Sequence, residues 1–406
     1  MEILNPSELS KSVGLKTLEQ AVRRSQTQSS LRIGIPKEQS SDERRVCITP
    51  GGVEVLVSNG HEVFIEKDAG ADARFPDHAY SEAGAQIAYS RDEVFAKSEL
   101  IVKVAPPDAS ERALLKEHQI VLSAVHLGTA TEAYFKELLT KGVTGIGFEF
   151  LQSKDGTFPI VRMMHEITGS VAVQIAAQHL ESNRGGPGIM LGGISGIPPA
   201  TVVILGAGII AEYAARTALG YGAQVFVMDT DLGALRRLEN ALDRRIVTAM
   251  ANQQYLTIAM KSADVVIGAA LIEGNKAPCW VTEPMVELMK EGSVIVDTVI
   301  DQGGCIETSR ATTHSNPVFV RHGVTHYAVP NMPAAVARTA TYALNNVIVP
   351  YLIQIGDAGG LNEALWHHVT IRNGTYLYKR HLTKKAISTL HNLPYRDIDM
   401  LMASRI

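Results

Sequence analysis

The chain has 406 residues, enough for two or three domains of about 150 residues each. Hydrophobic residues make up 46% and charged residues 20%, which is typical of a globular protein and excludes a disordered one. The net charge of −4 and the aromatic content of 6% argue against a surface for nucleic acid, and no apolar run reaches the roughly 18 residues of a membrane helix. We therefore expect a cytoplasmic enzyme with no nucleic-acid or membrane partner.

Residues 1–30 form a predicted N-terminal extension. They mix both charges with Ser and Gln and lack the apolar core of a secretory signal. Leu15, Leu18 and Val22 lie at helical spacing and predict one short amphipathic helix. A solvated tail and an arm that contacts another subunit remain equal alternatives for this segment.

From Leu31 onward, apolar strands alternate with helical segments. The predicted strands are LRIGIP, HEVFIEK, SELIVKV, QIVLSAV and VTGIGFEF, and the predicted helices between them are PGGVEVLVSNG, DHAYSEAGAQ, RDEVFAKS, ASERALLKEH and TEAYFKELLTKG. Such alternation predicts crossover units and a parallel sheet. The strands are apolar without strict alternation, as expected where helices cover both faces of the sheet.

Residues 160–198 interrupt this rhythm with a long helical stretch and a glycine-rich segment, and a second α/β series follows. Its predicted strands are TVVILGAG, AQVFVMDTD, ADVVIGAAL, GSVIVDTVID and HYAVPNMP, with helices up to Arg216, over LGALRRLENALD and around EPMVELMKEG. After about residue 337 the chain is helical again. We therefore predict two Rossmann-like, doubly wound parallel-sheet domains. Residues 160–336 form the inserted domain, residues 31–159 with 337–406 form the other, and long helices link them across a cleft.

A glycine-rich turn gives the strongest local signal. Gly206, Ala207 and Gly208 follow the strand TVVIL and open a helix, an arrangement that places a pyrophosphate at a helix N-terminus. Asp229 lies 229 − 206 = 23 positions further on, at the end of the next strand, where the ribose hydroxyls of NAD belong. No Arg directly follows this carboxylate, so the sequence predicts NAD rather than NADP.

Polar residues follow several strands, where ligands of open α/β sheets bind. Arg45 lies in the segment after the first strand, Lys103 lies near the end of SELIVKV, His126 follows QIVLSAV, and Asp301 follows GSVIVDTVI. Each alone is more often structural or solvated than functional. Together they indicate one cleft for a small oxo acid, in which Arg offers a bidentate fork to a carboxylate, Lys and His supply positive charge or a proton, and Asp301 orients a partner.

The cysteines give no sign of a metal centre or a disulfide framework. Cys47, Cys279 and Cys305 lie far apart and form no C-x-x-C pair. We expect them to be buried or inert, and we predict no bound metal.

Several segments together resemble the family of alanine dehydrogenases and the NAD-binding subunit of proton-translocating transhydrogenase. The resemblance runs from about residue 31 to the end and rests on SDERRVCITPGG, LIVKV, HLGTA, NRGGPGIMLGGISGIPPATVVILGAG, VDTVIDQGGCIETSRATTH and VPNMPAAVARTATYALNN. DQGG with NMPA is quite specific to this superfamily. The resemblance implies reversible, NAD-dependent oxidative deamination of L-alanine to pyruvate and ammonium by a homo-oligomer, commonly a hexamer.

The resemblance also implies site residues. Arg45 and Lys103 hold the substrate carboxylate and keto group, His126 is the acid/base, and Asp301 lies next to the nicotinamide. Asn331 contributes to the substrate site. The cofactor-binding set it implies is Gly206, Ala207, Gly208, Ile209, Ile210, Asp229, Ala269, Leu271, Ile300, Asp301, Met332 and His165.

Two departures from the family pattern leave the substrate and the cofactor contacts open. His165 replaces a Ser that touches the cofactor in the family, and the pattern K-x-K-E-P becomes Lys103-Val104-Ala105-Pro106-Pro107. The alternatives are a dehydrogenase for another amino acid, of saccharopine type or with a larger substrate, a catalytically silent transhydrogenase-like NAD(H)-binding module, and a regulatory protein that reuses the fold.

Overall fold

The computed structural model describes residues 29–271 and 276–403, which form two α/β sheets. The helix predicted around Leu15–Val22 lies outside the described residues. The first sheet has eight strands in the order β15-β14-β6-β5-β4-β1-β2-β3. They are β1 (Arg32–Ile35), β2 (Glu62–Glu66), β3 (Gln86–Ala88), β4 (Leu100–Val102), β5 (Ile120–Ser123), β6 (Thr144–Gly147), β14 (Thr375–Tyr378) and β15 (His381–Leu382).

Helices cover both faces of the first sheet. Apolar residues of its strands therefore pack into two hydrophobic cores, one on each face. Ile33 packs in one core with Leu56, and Ile101 packs in the other with Phe95 and Phe135. The helices that flank this sheet are α1 (Pro50–Ser58), α2 (Asp77–Glu82), α3 (Arg91–Lys97), α4 (Ala109–Leu114), α5 (Glu132–Lys141), α12 (Leu361–His367), α13 (Val369–Gly374), α14 (Lys385–His391) and α15 (Ile398–Ala403).

The second sheet has seven strands in the order β12-β13-β11-β10-β7-β8-β9. Val203 and Ile204, in a strand that has neighbours on both sides, belong to cores on opposite faces. The strands are β7 (Thr201–Leu205), β8 (Gln224–Asp229), β9 (Val247–Met250), β10 (Val265–Gly268), β11 (Val294–Asp297), β12 (Val318–Arg321) and β13 (Val324–Tyr327), and the helices are α7 (Ile209–Tyr221), α8 (Leu232–Ala241), α9 (Gln253–Ser262) and α10 (Glu283–Val286).

Two helices of 21 residues each join the sheets, α6 (Pro159–His179) and α11 (Ala337–Asp357). A Cβ on Gly169 of α6 would lie 2.3 Å from the carbonyl oxygen of Ile210 in α7, so glycine lets these two helices pack closely. The chain thus leaves the first sheet after β6, builds the whole second sheet, and returns through α11 to add β14 and β15.

The two-sheet α/β fold is confirmed, and its local details correct the sequence prediction at several points. The sheets are mixed, because β12, β14 and β15 pair antiparallel at the edges. The predicted strand VTGIGFEF ends at Gly147, where a 3-10 turn begins, and the helix predicted around EPMVELMKEG is a single turn. β12 escaped prediction because His322 and Gly323, both with positive φ, form its hairpin turn, and His is a weak signal for such a turn.

Candidate active site

Lys103 directly follows β4, and its ammonium is held by two buried carboxylates. Its Nζ lies 2.9 Å from Glu111 Oε2 and 3.1 Å from Glu38 Oε2, and the residue is 3% exposed. Glu111 reaches this position from a capping box at the start of α4, where Asp108 is the N-cap. Burial alone would lower the pKa of Lys103, but Glu38 and Glu111 outweigh it and hold the pKa above its usual value. Lys103 is therefore a fixed positive charge.

Arg45 is buried beside Glu43, which takes one whole edge of the guanidinium. Arg45 Nε donates to Glu43 Oε1 at 2.7 Å and Nη2 donates to Oε2 at 2.6 Å, while Nη1 lies 3.3 Å from the sulfur of Met164 on α6. Burial opposes ionisation of Glu43, but Arg45 outweighs it, so the pKa of Glu43 is below its usual value. The bidentate edge expected for a substrate thus belongs to Glu43, and Nη1 faces the sulfur of Met164.

Asn331 connects the second sheet to this pair of charges. Its side-chain amide donates to Glu43 Oε2 at 2.8 Å, and its backbone is left-handed with φ +63. The ring of His314 lies 3.2 Å from the Asn331 carbonyl oxygen, and so ties this bend to a neighbouring loop. A hydrogen-bonded chain therefore runs from the second sheet to Arg45.

His126 lies three residues beyond β5 in a strained backbone conformation. It is exposed, and its φ is +51, a region that residues other than glycine rarely adopt. Glu149, just past β6, accepts the backbone N–H groups of Val125 and His126, each at 2.9 Å. The His126 carbonyl accepts from the N–H groups of Thr129 and Ala130. Glu149 was missed from the sequence, although it follows a strand end as His126 does.

Asp301 sits in the 3-10 turn Ile300–Gln302 after β11, close to the His126 loop. A Cβ on Gly128 would lie 3.3 Å from the Asp301 carbonyl oxygen. Burial among neighbouring atoms raises the pKa of the Asp301 carboxyl, and His126 partly offsets this. The carboxylate of the fully buried Asp297 accepts the backbone N–H groups of Val299 and Cys305 at 3.2 Å and so closes this loop. Asp297 was also missed from the sequence.

The glycine-rich turn after β7 has the geometry of a nucleotide cradle. Gly206 has φ +108, and a Cβ there would lie 2.5 Å from the carbonyl oxygen of Ala269, so only glycine fits. A Cβ on Gly208 would meet no atom within 4 Å, which leaves open space beside the start of α7. Asp229 accepts the N–H of Ala207 at 2.6 Å and thereby joins the ends of β7 and β8.

The other predicted cofactor residues divide into buried and accessible ones. Ala269 and Met332 are 2% exposed and belong to the core of the second sheet. His165 on α6 is half-buried, and burial lowers its pKa to about 4, so the ring is neutral near pH 7. The remaining half-buried members that line the strand ends of the second sheet are Leu271 and Ile300, while Ile209 and Ile210 begin α7.

Within residues 29–271 and 276–403, no group of three or more His, Cys, Asp or Glu side chains is arranged to hold a metal ion. In the same described ranges, no helix is both long and apolar enough to cross a membrane. All three cysteines are free thiols; Cys47 and Cys305 are buried and Cys279 is exposed.

Comparison with known proteins decides the family. Residues 34–168 match the alanine dehydrogenase/PNT N-terminal domain, and residues 172–385 match the corresponding C-terminal domain. The chain belongs to the alanine dehydrogenase/PNT family. Within this family, an alanine dehydrogenase from Methanococcus maripaludis is 44% identical over 364 residues, 89% of this chain and 97% of that protein. One from Staphylococcus haemolyticus is 42% identical over 370 residues, 91% of this chain and 98% of that protein.

Solved structures in this family share the fold described above. A structure of L-alanine dehydrogenase aligns with a TM-score of 0.84 at 39% identity and covers 89% of this chain and 99% of that one. A transhydrogenase from Sinorhizobium meliloti aligns with a TM-score of 0.73 at 26% identity, covering 87% of this chain and 99% of that one. The predicted family and fold are thus confirmed.

Proposed function

We propose that the protein catalyses the reversible, NAD-dependent oxidative deamination of L-alanine to pyruvate and ammonium. The observation that carries this proposal is the meeting of two sheet edges. His126 from the first sheet lies against Asp301 from the second, while Arg45 and Lys103 supply fixed positive charge at the first edge. A small amino acid needs cations for its carboxylate and an acid/base for its amine, and this cleft offers both.

The turn after β7 fits NAD. Gly206 and Gly208 leave the backbone open at the start of α7, where a pyrophosphate binds, and Asp229 stands at the end of β8 to accept the ribose hydroxyls. A carboxylate at this position repels a 2′-phosphate, which favours NAD over NADP. Bound NAD supplies the acceptor for the hydride that leaves Cα of the amino acid.

The residues of the first sheet bind and orient the substrate. Arg45 presents Nη1 to the substrate carboxylate while Glu43 fixes the other edge of its guanidinium. Lys103 adds a second positive charge that polarises the keto oxygen of pyruvate. Asn331 acts on this site through Glu43, and so couples the position of the second sheet to that of Arg45.

His126 moves the protons of the reaction. It removes a proton from the water that adds to Cα of the iminium, and later gives a proton to the amine that leaves the carbinolamine. Asp301 lies beside it and orients the imidazole or the substrate amine. The strained backbone of His126, held by Glu149, keeps the ring at the mouth of the cleft.

We also propose a division of the chain and a self-associated state. Residues 160–336 form the NAD-binding domain, and residues 31–159 with 337–406 form the substrate domain, a division supported by the strands that each sheet contains. A homo-oligomer, a hexamer by family resemblance, in the cytoplasm completes the proposal. The exposed apolar side chains of Met190, Ile194 and Ile197, in the segment between α6 and β7, are the kind of surface that another subunit covers.

The deciding experiment measures NADH formation when L-alanine is added to the purified protein with NAD, with glycine, serine and lysine as comparison substrates. The expected result is a rate with alanine far above that with lysine. His126→Ala and Asp301→Asn should abolish turnover and leave cofactor binding nearly intact. His118→Ala is the matched control, because His118 is also exposed and left-handed, with φ +61, but precedes β5.

Each other outcome points to a different function. NADH binding without turnover of any amino acid would favour a silent hydride-docking module. Turnover of lysine-containing or larger substrates in place of alanine would favour a different amino acid dehydrogenase. Near-normal rates in both the His126 and Asp301 variants would remove these two residues from the catalytic machinery.

A further inference from the structure

Five charged side chains, including the two cations proposed to bind the substrate, form one buried cluster. Arg45 is paired with Glu43, and Lys103 with Glu38 and Glu111. The side chains of all five are at most 7% exposed. Glu38 follows β1 in the same loop as Glu43 and Arg45, and its Oε1 accepts the Val104 N–H at 2.6 Å. The cluster thus joins the ends of β1 and β4 to α4.

The charges of this cluster do not balance when every group is ionised. Two cations face three carboxylates, and Arg91, 3.9 Å from Glu111, is itself paired with Glu66 at 3.4 Å, so one net negative charge is left in a site with little water. Isolated charge is strongly unfavourable in such a site, so the cluster favours one bound proton. A substrate carboxylate adds another negative charge and increases this demand.

Geometry decides which carboxylate carries the proton. Glu43 accepts two hydrogen bonds from Arg45 and one from Asn331. Glu111 has Lys103 at 2.9 Å and the Asp108 N–H at 3.0 Å, with Arg91 Nε at 3.9 Å. Glu38 has the longer contact to Lys103 and no guanidinium within salt-bridge distance among the described residues.

The titration of Glu38 agrees with this assignment. Burial raises its pKa to about 7, Lys103 opposes the rise, and Glu43 and Glu111 add to it. The other groups that act on Glu38 from the neighbouring segments do not titrate near neutral pH. Arg45 stays charged, since Glu43 outweighs burial and raises its pKa, and burial raises the pKa of the Cys47 thiol well above its usual value.

We propose that Glu38 takes up a proton when the substrate anion binds beside Arg45 and Lys103, and that it thereby sets the pH dependence of substrate affinity. This inference rests on the proposed function, because it assigns the anion to that site. By linkage, a bound anion that favours the protonated form of Glu38 binds more weakly once the pH exceeds the pKa of the free protein. One coupled proton limits the change to about tenfold per pH unit.

Calorimetry of pyruvate binding to the protein with NAD, without ammonium, tests this coupling. Titrations at pH 6, 7 and 8 in two buffers of different ionisation enthalpy give both the Kd and the number of protons taken up. The wild type should take up a fraction of a proton at pH 7–8, and its Kd should rise several-fold from pH 7 to pH 8. Glu38→Gln should take up fewer protons than the wild type, and its Kd should vary much less.

Asp264→Asn is the matched control. Asp264 is buried, accepts the Thr201 N–H at 2.8 Å and pairs with Lys290 at 2.7 Å, but it lies at the opposite end of the second sheet from the cleft. This variant should keep the proton uptake of the wild type. Equal proton uptake by Glu38→Gln and the wild type would overturn the inference. A wild-type Kd that stays constant with pH, together with zero proton uptake, would also overturn it, and this second result does not require a folded Glu38 variant. Alanine-dependent NADH formation is measured separately, so loss of that activity in the wild type would refute the proposed function instead.

Discussion

The hydrogen bonds that Glu149 accepts from the His126 loop lead to the sharpest prediction about turnover. Glu149→Ala removes the acceptor for the backbone N–H groups of Val125 and His126. A hydrogen bond to a charged group contributes about 1.5–3 kcal/mol, and the buried Val125 N–H would be left without its partner. We therefore expect the free energy of unfolding to fall by about 2–5 kcal/mol.

The same substitution should slow catalysis more than it weakens cofactor binding. The left-handed conformation of His126 has a free energy about 1–2 kcal/mol above the alternatives, and Glu149 maintains it. Without that restraint the loop relaxes, and the ring occupies its working position roughly a tenth of the time or less, since 1.36 kcal/mol corresponds to a factor of ten. We expect kcat for alanine deamination to fall about tenfold, with the Kd for NADH unchanged.

Steady-state NADH formation, NADH fluorescence titration and urea unfolding measure the three quantities. Asp77→Ala is the matched control, because Asp77 accepts the N–H of Asp68, another left-handed residue, with φ +60, outside the cleft. This control should lose some stability and keep the wild-type kcat. A kcat within twofold of wild type in folded Glu149→Ala would refute the reasoning, as would an equal loss of kcat in the Asp77 variant.

Three further predictions concern the glycine-rich turn after β7, the guanidinium of Arg45 and the loop that contains Asp301. Gly206→Ala should lose about 2–4 kcal/mol of stability, because its φ and the 2.5 Å approach of a carbonyl oxygen exclude a side chain. Gly208→Ala should melt like the wild type and only bind NADH more weakly. Equal melting curves for the Gly206 and Gly208 variants would contradict this prediction. Arg45→Lys cannot donate from both Nε and Nη2 to Glu43, so the KM for alanine should rise at least tenfold in initial-rate assays; an unchanged KM would place the carboxylate elsewhere. Burial raises the pKa of Asp297 to about 6, so its contribution to folding is present below pH 4 and is lost as the pH rises through 6. The free energy of unfolding of Asp297→Asn, measured in urea, should therefore rise by about 2–3 kcal/mol relative to that of the wild type from pH 4 to pH 7. A difference between the two proteins that stays constant with pH would argue against a buried, titrating carboxyl.

The sequence by itself determined the class of fold and the family. Apolar runs that alternate with helical segments define a sheet covered on both faces, because the period of the hydrophobic pattern reports local geometry. The turn at Gly206 was readable for the same reason, since the strand before it and the helix after it are local patterns. Edge strands such as Val318–Arg321 were not readable, because they are short and half-exposed and their pairing partner decides their state.

Only the tertiary structure decided which charges meet. The sequence placed Arg45 and Lys103 after strands, but not the carboxylates that hold them, and it assigned the guanidinium fork to a substrate when Glu43 occupies one edge. Glu38 comes from a segment that is distant along the chain, Glu111 comes from the helix that follows β4, and both join Lys103 only when β1, β4 and α4 assemble. Local patterns fix the type of each element. The balance of charge in a buried site depends on long-range packing, so the tertiary structure sets which carboxyl groups of this site are protonated.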